Sequence, residues 1–341
     1  MGLSRITQFG LLIVLALVVA ACDTDTNGDA TDDAGAQDDA AAETSDDADD
    51  DPSSDPINVV STTTWLHDAV SGVGGEHVQA QALMGPGIDP HDYVASEGDV
   101  TRMSEADVII YNGHHLEGAM SDVLGDISER TRTLAVAEQI DDDLLLEPDH
   151  DLLGDDFDAP YDPHIWFDID LWERSTEIIR DEFIDLDPDN EDTYRENADA
   201  YIADLDELKD YVADRIEEIP EQQRVLITAH DAFGYFGSAF DMEVLGLQPV
   251  TTDVEAAASD IRELADLIVE REIRAIFLET AVPPQGIEAV QAAVNDRGFD
   301  VQIADEPLYG DALGGDDSDG ATYVDAFRFN IEVIVDALTA D

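Results

Sequence analysis

Lysine occurs once in this chain, at Lys209, and Lys and Arg together make up 15 of 341 residues. There is no basic run to neutralise a phosphate backbone, and 82 Asp and Glu leave a net charge of −67, so nucleic acid is excluded as a partner. The lone lysine does not end a Gly-x-x-x-x-Gly-Lys loop, which excludes ATP hydrolysis of that type. Cysteine also occurs once, at Cys22. One cysteine forms no internal disulfide and no thiolate metal cluster. His-Glu-x-x-His is absent too, and with it the commonest helical zinc-hydrolase signature. The apolar run 9–21 has 13 residues, short of the roughly 20 that span a bilayer.

What the chain has in excess is acid. Its hydrophobic content is 44%, too high for a disordered polyanion and enough for the cores of about two ordinary domains. The expectation is a halophile-type globular protein whose carboxylates hold a hydrated surface in concentrated salt, where screening shortens the Debye length to about 3 Å at 1 M. Diffuse acidity collects no cation under such screening. Specific metal binding must come from a few side chains in direct contact with the ion.

The N-terminus reads as an export signal. Arg5 precedes the apolar run 9–21, and Val19-Ala20-Ala21-Cys22 sets small residues before a cysteine, as at a cleavage site. It resembles a lipoprotein lipobox, in which the new N-terminal Cys receives the lipid. Residues 1–21 are thus a signal peptide and Cys22 the lipidation site. Residues 23–55 hold 14 acids and no base, so 22–56 is an extended acidic tether and the folded body starts at 57.

Short apolar, β-branched runs at 57–61, 108–111, 134–136, 225–228, 275–278 and 301–304 predict buried strands, with amphipathic helices such as 259–271 between them. That alternation is α/β with parallel sheets. Between two such groups, residues 189–219 carry Tyr194, Ala198, Tyr201, Leu205, Leu208, Val212 and Ile216 along one face of a single helix on the order of 45 Å long. The predicted architecture is an N-terminal lobe (57–188), a rigid linking helix (189–219) and a C-terminal lobe (220–341), with the ligand in the interlobe cleft beyond the strand ends. A long helix between lobes permits modest tilting rather than a wide hinge.

Two of the eight histidines sit in one repeated tripeptide, Asp89-Pro90-His91 and Asp162-Pro163-His164, and a third, His230, follows the strand 225–228 directly. Proline stiffens both loops, and each Asp is placed to orient its His, as a metal site requires. These segments, with Thr62-Thr63, Gly85-Pro86-Gly87-Ile88, Tyr111-Asn112-Gly113, Ile165-Trp166-Phe167-Asp168 and His230-Asp231-Ala232-Phe233-Gly234-Tyr235-Phe236, resemble the zinc/manganese family of ABC-transporter solute-binding proteins. The resemblance runs in order from about 57 to 338 and is nearest to the branch with three histidines and one aspartate.

That resemblance implies a fourth ligand at Asp311, in Tyr309-Gly310-Asp311-Ala312-Leu313-Gly314, and an acidic position near the site at Glu279. It implies capture of Zn²⁺ or Mn²⁺ as transported ligand and delivery to an ABC permease served by a separate ATPase subunit. The protein would then be a non-enzymatic monomer outside the cytoplasm, held to the cell membrane by its lipidated Cys22. Donor chemistry alone does not choose between the metals, although raw affinity ranks zinc above manganese. Neutral imidazoles are required, so binding should weaken as pH falls through about 6 to 6.5. His114 and His115 read as structural or rim residues, and the acidic insert 141–158, with His150 alone, as a solvated loop. The segment 315–326 lacks both anchor carboxylates of a calcium loop. The alternatives are a zinc-dependent hydrolase lipoprotein, which would need an open coordination position and a general base, and a metal-binding surface adhesin.

Overall fold

The structure is a computed structural model that describes residues 55–148 and 160–340. The expected signal peptide, Cys22, most of the tether and His150 lie outside the described residues. From Ser53 onward the chain forms one compact unit.

The first lobe is built on four parallel strands. They are β1 (Ile57–Ser61), β2 (Val78–Ala82), β3 (Val108–Tyr111) and β4 (Arg132–Ala135), in the order β2-β1-β3-β4. All three pairings are parallel. The central strands β1 and β3 are mostly buried on both faces, so they read as apolar runs, interrupted in β1 by Asn58. The edge strand β2, Val-Gln-Ala-Gln-Ala, is only half buried. It lacks the β-branched run that marks its neighbours, which is why the sequence does not announce it.

The second lobe holds β5 (Val225–His230), β6 (Glu243–Gln248), β7 (Ala275–Ile276) and β8 (Gln302–Ile303), paired in parallel as β5-β6 and β7-β8. The Phe277 N–H donates to Ile227 C=O at 2.9 Å and joins the two pairs. Every residue of β5 is buried, and His230 is its last residue instead of following it. The half-buried β6 is again an edge strand without a sequence signal, broken by Gly246. Strands β7 and β8 are shorter than their apolar runs predict; beyond β7 the chain continues as a bridge between Glu279 and Leu308.

The linking helix spans Glu191–Ile216, 26 residues, about 39 Å at 1.5 Å per residue. It is shorter than the predicted span 189–219, because Pro188–Asn190 forms a separate 3₁₀ turn and the helix ends at Ile216. Tyr194, Ala198, Leu205, Leu208, Val212 and Ile216 are buried along its face. The half-buried Tyr201 hydroxyl donates to Asp68 at 2.7 Å and accepts from Trp172 Nε1 at 3.3 Å. Side chains from this helix, from Thr64–Gly74, from Ile169–Leu186 and from the C-terminal helix Tyr323–Thr339 share one core. Trp172 stacks on Tyr323 there at 5.4 Å and Trp65 meets Tyr323 edge-on at 5.6 Å. Close-packed aromatic contacts of this kind resist independent lobe motion.

Candidate metal centre

The strand ends of both lobes converge on four buried side chains. His91, His164, His230 and Asp311 are at most 2% exposed, and each offers one donor atom within 4.8 Å of all the others. Asp311 carboxylate oxygens lie 3.6 Å from His91 Nε2, 3.4 Å from His164 Nε2 and 3.3 Å from His230 Nε2. The His91 and His164 Nε2 atoms are 3.4 Å apart. Four ligands about 2.1 Å from one tetrahedral ion stand about 3.4 Å from each other, and these four separations are close to that value. Among the described residues neither Asp311 oxygen has a hydrogen-bond partner. A buried carboxylate without hydrogen-bond partners is costly, and a cation among these donors would satisfy it.

Each donor is aimed by its local chain. Asp162 Oδ1 accepts from the His164 backbone N–H at 2.9 Å and from its ring Nδ1 at 2.7 Å, leaving Nε2 to face the centre. Asp89 departs from this pattern: its Oδ1 accepts from the His91 backbone N–H at 2.8 Å and so fixes the turn, not the ring. Glu279, 4% exposed, accepts from the His230 backbone N–H at 2.9 Å, and its other oxygen lies 2.8 Å from His230 Nδ1. Its distance marks that last contact as an ion pair, although its direction is off the line a hydrogen bond requires.

Asp311 is held from the opposite lobe. The indole N–H groups of Trp65 and Trp166 both donate to the carbonyl of Gly310, at 3.0 and 3.2 Å, and the Leu313 N–H donates to Thr64 Oγ1 at 2.7 Å. Position 310 admits no side chain, since a Cβ there would stand 2.3 Å from Glu279 Oε2. Sequence reasoning missed this double clamp, although Trp166, one of only three tryptophans in the chain, stands two residues after His164. It also missed Glu117, a buried carboxyl that accepts from Thr62 Oγ1 at 2.7 Å and from the Asn112 and Gly113 N–H groups at 2.8 and 3.2 Å. Asn112 Nδ2 in turn donates to Pro163 C=O at 2.9 Å and anchors the loop that carries His164.

Carboxylates set the charge state of the centre. Burial alone would lower the pKa of His164, but Asp162 and Asp311 raise it to about 9. His230 is driven well above its usual value against the same burial by Asp311 and Glu279. His91 has no carboxylate on its ring beyond the shared Asp311, and burial takes it down to about 3. Against its own burial, Asp311 is held well below the ordinary carboxylate range by the three imidazoles. His114 Nε2 sits 3.2 Å from Ala137 C=O and His115 is exposed; both lie outside the cluster, and both have positive φ, at 46° and 68°.

A family model described as "Zinc-uptake complex component A periplasmic" matches residues 59–337. The chain is 41% identical over 282 residues to the manganese-binding lipoprotein MntA of Bacillus subtilis, covering 83% of this chain and 90% of that protein. It is 40% identical over 280 residues to the zinc-binding protein TroA of Treponema pallidum, covering 82% of this chain and 88% of that protein. The solved structure of that periplasmic zinc-binding protein superposes with a TM-score of 0.79 at 39% identity, over 84% of this chain and 100% of the other. With the family model spanning both lobes, the chain belongs to the family of periplasmic zinc-uptake complex component A proteins.

Proposed function

We propose that this protein captures a divalent transition metal, Zn²⁺ or Mn²⁺, outside the cytoplasm through His91, His164, His230 and Asp311, and hands it to an ABC import permease driven by a separate ATPase. The observation that carries the reading is four buried donors within 4.8 Å of one another, among them a carboxylate with no hydrogen-bond partner among the described residues. The metal is cargo, and the chain performs no chemistry on it. Three imidazoles and a carboxylate suit both ions, and relatives named for manganese and for zinc are about equally similar. Glu279 and Asp162 are assigned as the groups that orient His230 and His164.

The test is elemental analysis of the full-length chain, purified in molar salt without chelator, beside His164→Ala. The parent should hold one equivalent of Zn or Mn and the variant almost none. A parent that binds neither ion after both are supplied would remove the capture reading and leave a shared fold. A hydrolase would keep a coordination position open to water, whereas here four side chains converge on the centre; turnover of an ester or peptide would speak for that alternative.

The finer assignments rest on the sequence. They are a signal peptide at 1–21, a lipid on Cys22 that anchors a monomer to the membrane through an acidic tether, lobes at 57–188 and 220–341 about the link 189–219, and a surface suited to concentrated salt. Mass spectrometry of the membrane-extracted protein should find a lipidated Cys22 as the first residue. An unprocessed N-terminus would overturn export by this route. Undiminished stability after dilution from molar to low salt would count against the salt-adapted surface.

A further inference from the structure

We propose that Asp89 and Thr252 form a latch between the two loops flanking the metal centre, positioning His91 and setting how fast the metal leaves. The inference rests on the capture reading above. Asp89 is half-buried and uses both of its oxygens. Oδ1 accepts from the His91 backbone N–H at 2.8 Å, and Oδ2 accepts from the Thr252 hydroxyl at 2.6 Å, across 163 positions of sequence and from the other lobe. The loop carrying Thr252 is itself tied down. Gln248 Nε2 donates to the carbonyls of Thr252 at 3.4 Å and Val254 at 3.2 Å, and Gln248 lies beside His230 in the β5-β6 register. One polar chain therefore connects the backbone of His91 to the strand position next to His230, and Thr252 is its interlobe link.

Its location separates it from the other polar contacts between the lobes. The Trp65, Trp166 and Thr64 bonds to the 310–313 segment and the Tyr235 hydroxyl bond to Asp162 C=O, at 2.9 Å, are mostly buried deep in the shared core. The Asp89–Thr252 bond is on the outer side, at a cavity of about 360 Å³ lined by Asp89, Asp92, Gln248, Thr252 and Val282. A bond to a charged acceptor at the edge of a cavity is the contact whose loss most readily frees the His91 loop. Asp89 and Thr252 are positioning residues here. Neither is a metal ligand.

The experiment measures release of Mn²⁺ or Zn²⁺ from the full-length chain into excess EDTA by stopped flow, for the parent, Thr252→Val and Thr252→Ser. Valine keeps the shape and removes the donor, so release should accelerate roughly tenfold or more, the scale of one lost hydrogen bond to a charged group. Serine keeps the donor and should restore the parent rate. Equal rates in parent and Thr252→Val, with metal bound in both, would overturn the latch alone. Equal acceleration in Val and Ser would also overturn it, since packing of the Thr methyl would then be the cause. A parent without metal would remove the capture reading, and the latch with it.

Discussion

Asp311→Asn should lower the affinity for Zn²⁺ or Mn²⁺ by two to three orders of magnitude. The substitution keeps the shape of the side chain and one carbonyl oxygen facing the three imidazoles, so what it removes is charge. Asp311 is the one anion among the four donors, is 1% exposed, and lies 3.3 to 3.6 Å from each imidazole Nε2. Deleting one partner of a buried charge pair costs about 3–5 kcal/mol, which converts to roughly 10²- to 10³·⁵-fold in a dissociation constant. A second effect works the other way. Asp311 is also a main cause of the raised pKa values of His164 and His230, so its loss weakens proton competition, and the deficit should narrow in acid. Titration against a competing chelator at pH 8 and at pH 6 measures both. An affinity within threefold of the parent at pH 8 would mean that Asp311 does not touch the ion.

Why Asp311 needed the family resemblance, while the histidines stood out unaided, follows from composition. Eight histidines make a repeated Asp-Pro-His conspicuous, whereas one Asp among 82 acids carries no signal until its surroundings are known. Those surroundings are tertiary: the Gly310 carbonyl between two indoles, and the bare Cα of Gly310 against Glu279. The fold divides in the same way. Central strands such as β1, β3 and β5 are mostly buried on both faces and legible as largely apolar runs, but β2 and β6 are half-solvated edges whose identity comes from pairing with a neighbour. The linking helix was visible from its stripe. Its ends were not, because the 3₁₀ turn at Pro188–Asn190 continues the helical spacing with a different hydrogen-bond pattern. Thr252 acts on Asp89 across 163 positions and Glu117 on Thr62 across 55, and no local pattern marks such long-range contacts.

Metal binding should release close to two protons at pH 7, and affinity should keep rising up to about pH 9. An isolated histidine would place the loss of binding near its ordinary pKa of about 6.5, the expectation from sequence alone. The structure moves it upward. In the metal-free protein His164 holds its proton to about pH 9, and His230 to a value well above the usual, because each imidazole is flanked by carboxylates: Asp162 and Asp311 for one, Glu279 and Asp311 for the other. His91, taken down to about 3, is neutral throughout. A divalent ion then replaces two protons with no change in the net charge of the buried cluster, and each displaced proton contributes up to about tenfold in affinity per pH unit below its pKa. The linkage sign for stability follows. A histidine whose folded pKa is raised to about 9 stabilises the metal-free fold fully below about pH 6.5 and loses that contribution as pH rises through 9. Bound metal substitutes for the protons across that window, so the rise in unfolding temperature on adding metal should be larger at pH 8.5 than at pH 6.5. Titration calorimetry in buffers of different ionisation enthalpy counts the protons directly. Zero release at pH 7 with affinity flat from pH 6.5 to 9 would mean that the imidazoles are already neutral in the metal-free state, and that their carboxylate partners orient them without charging them.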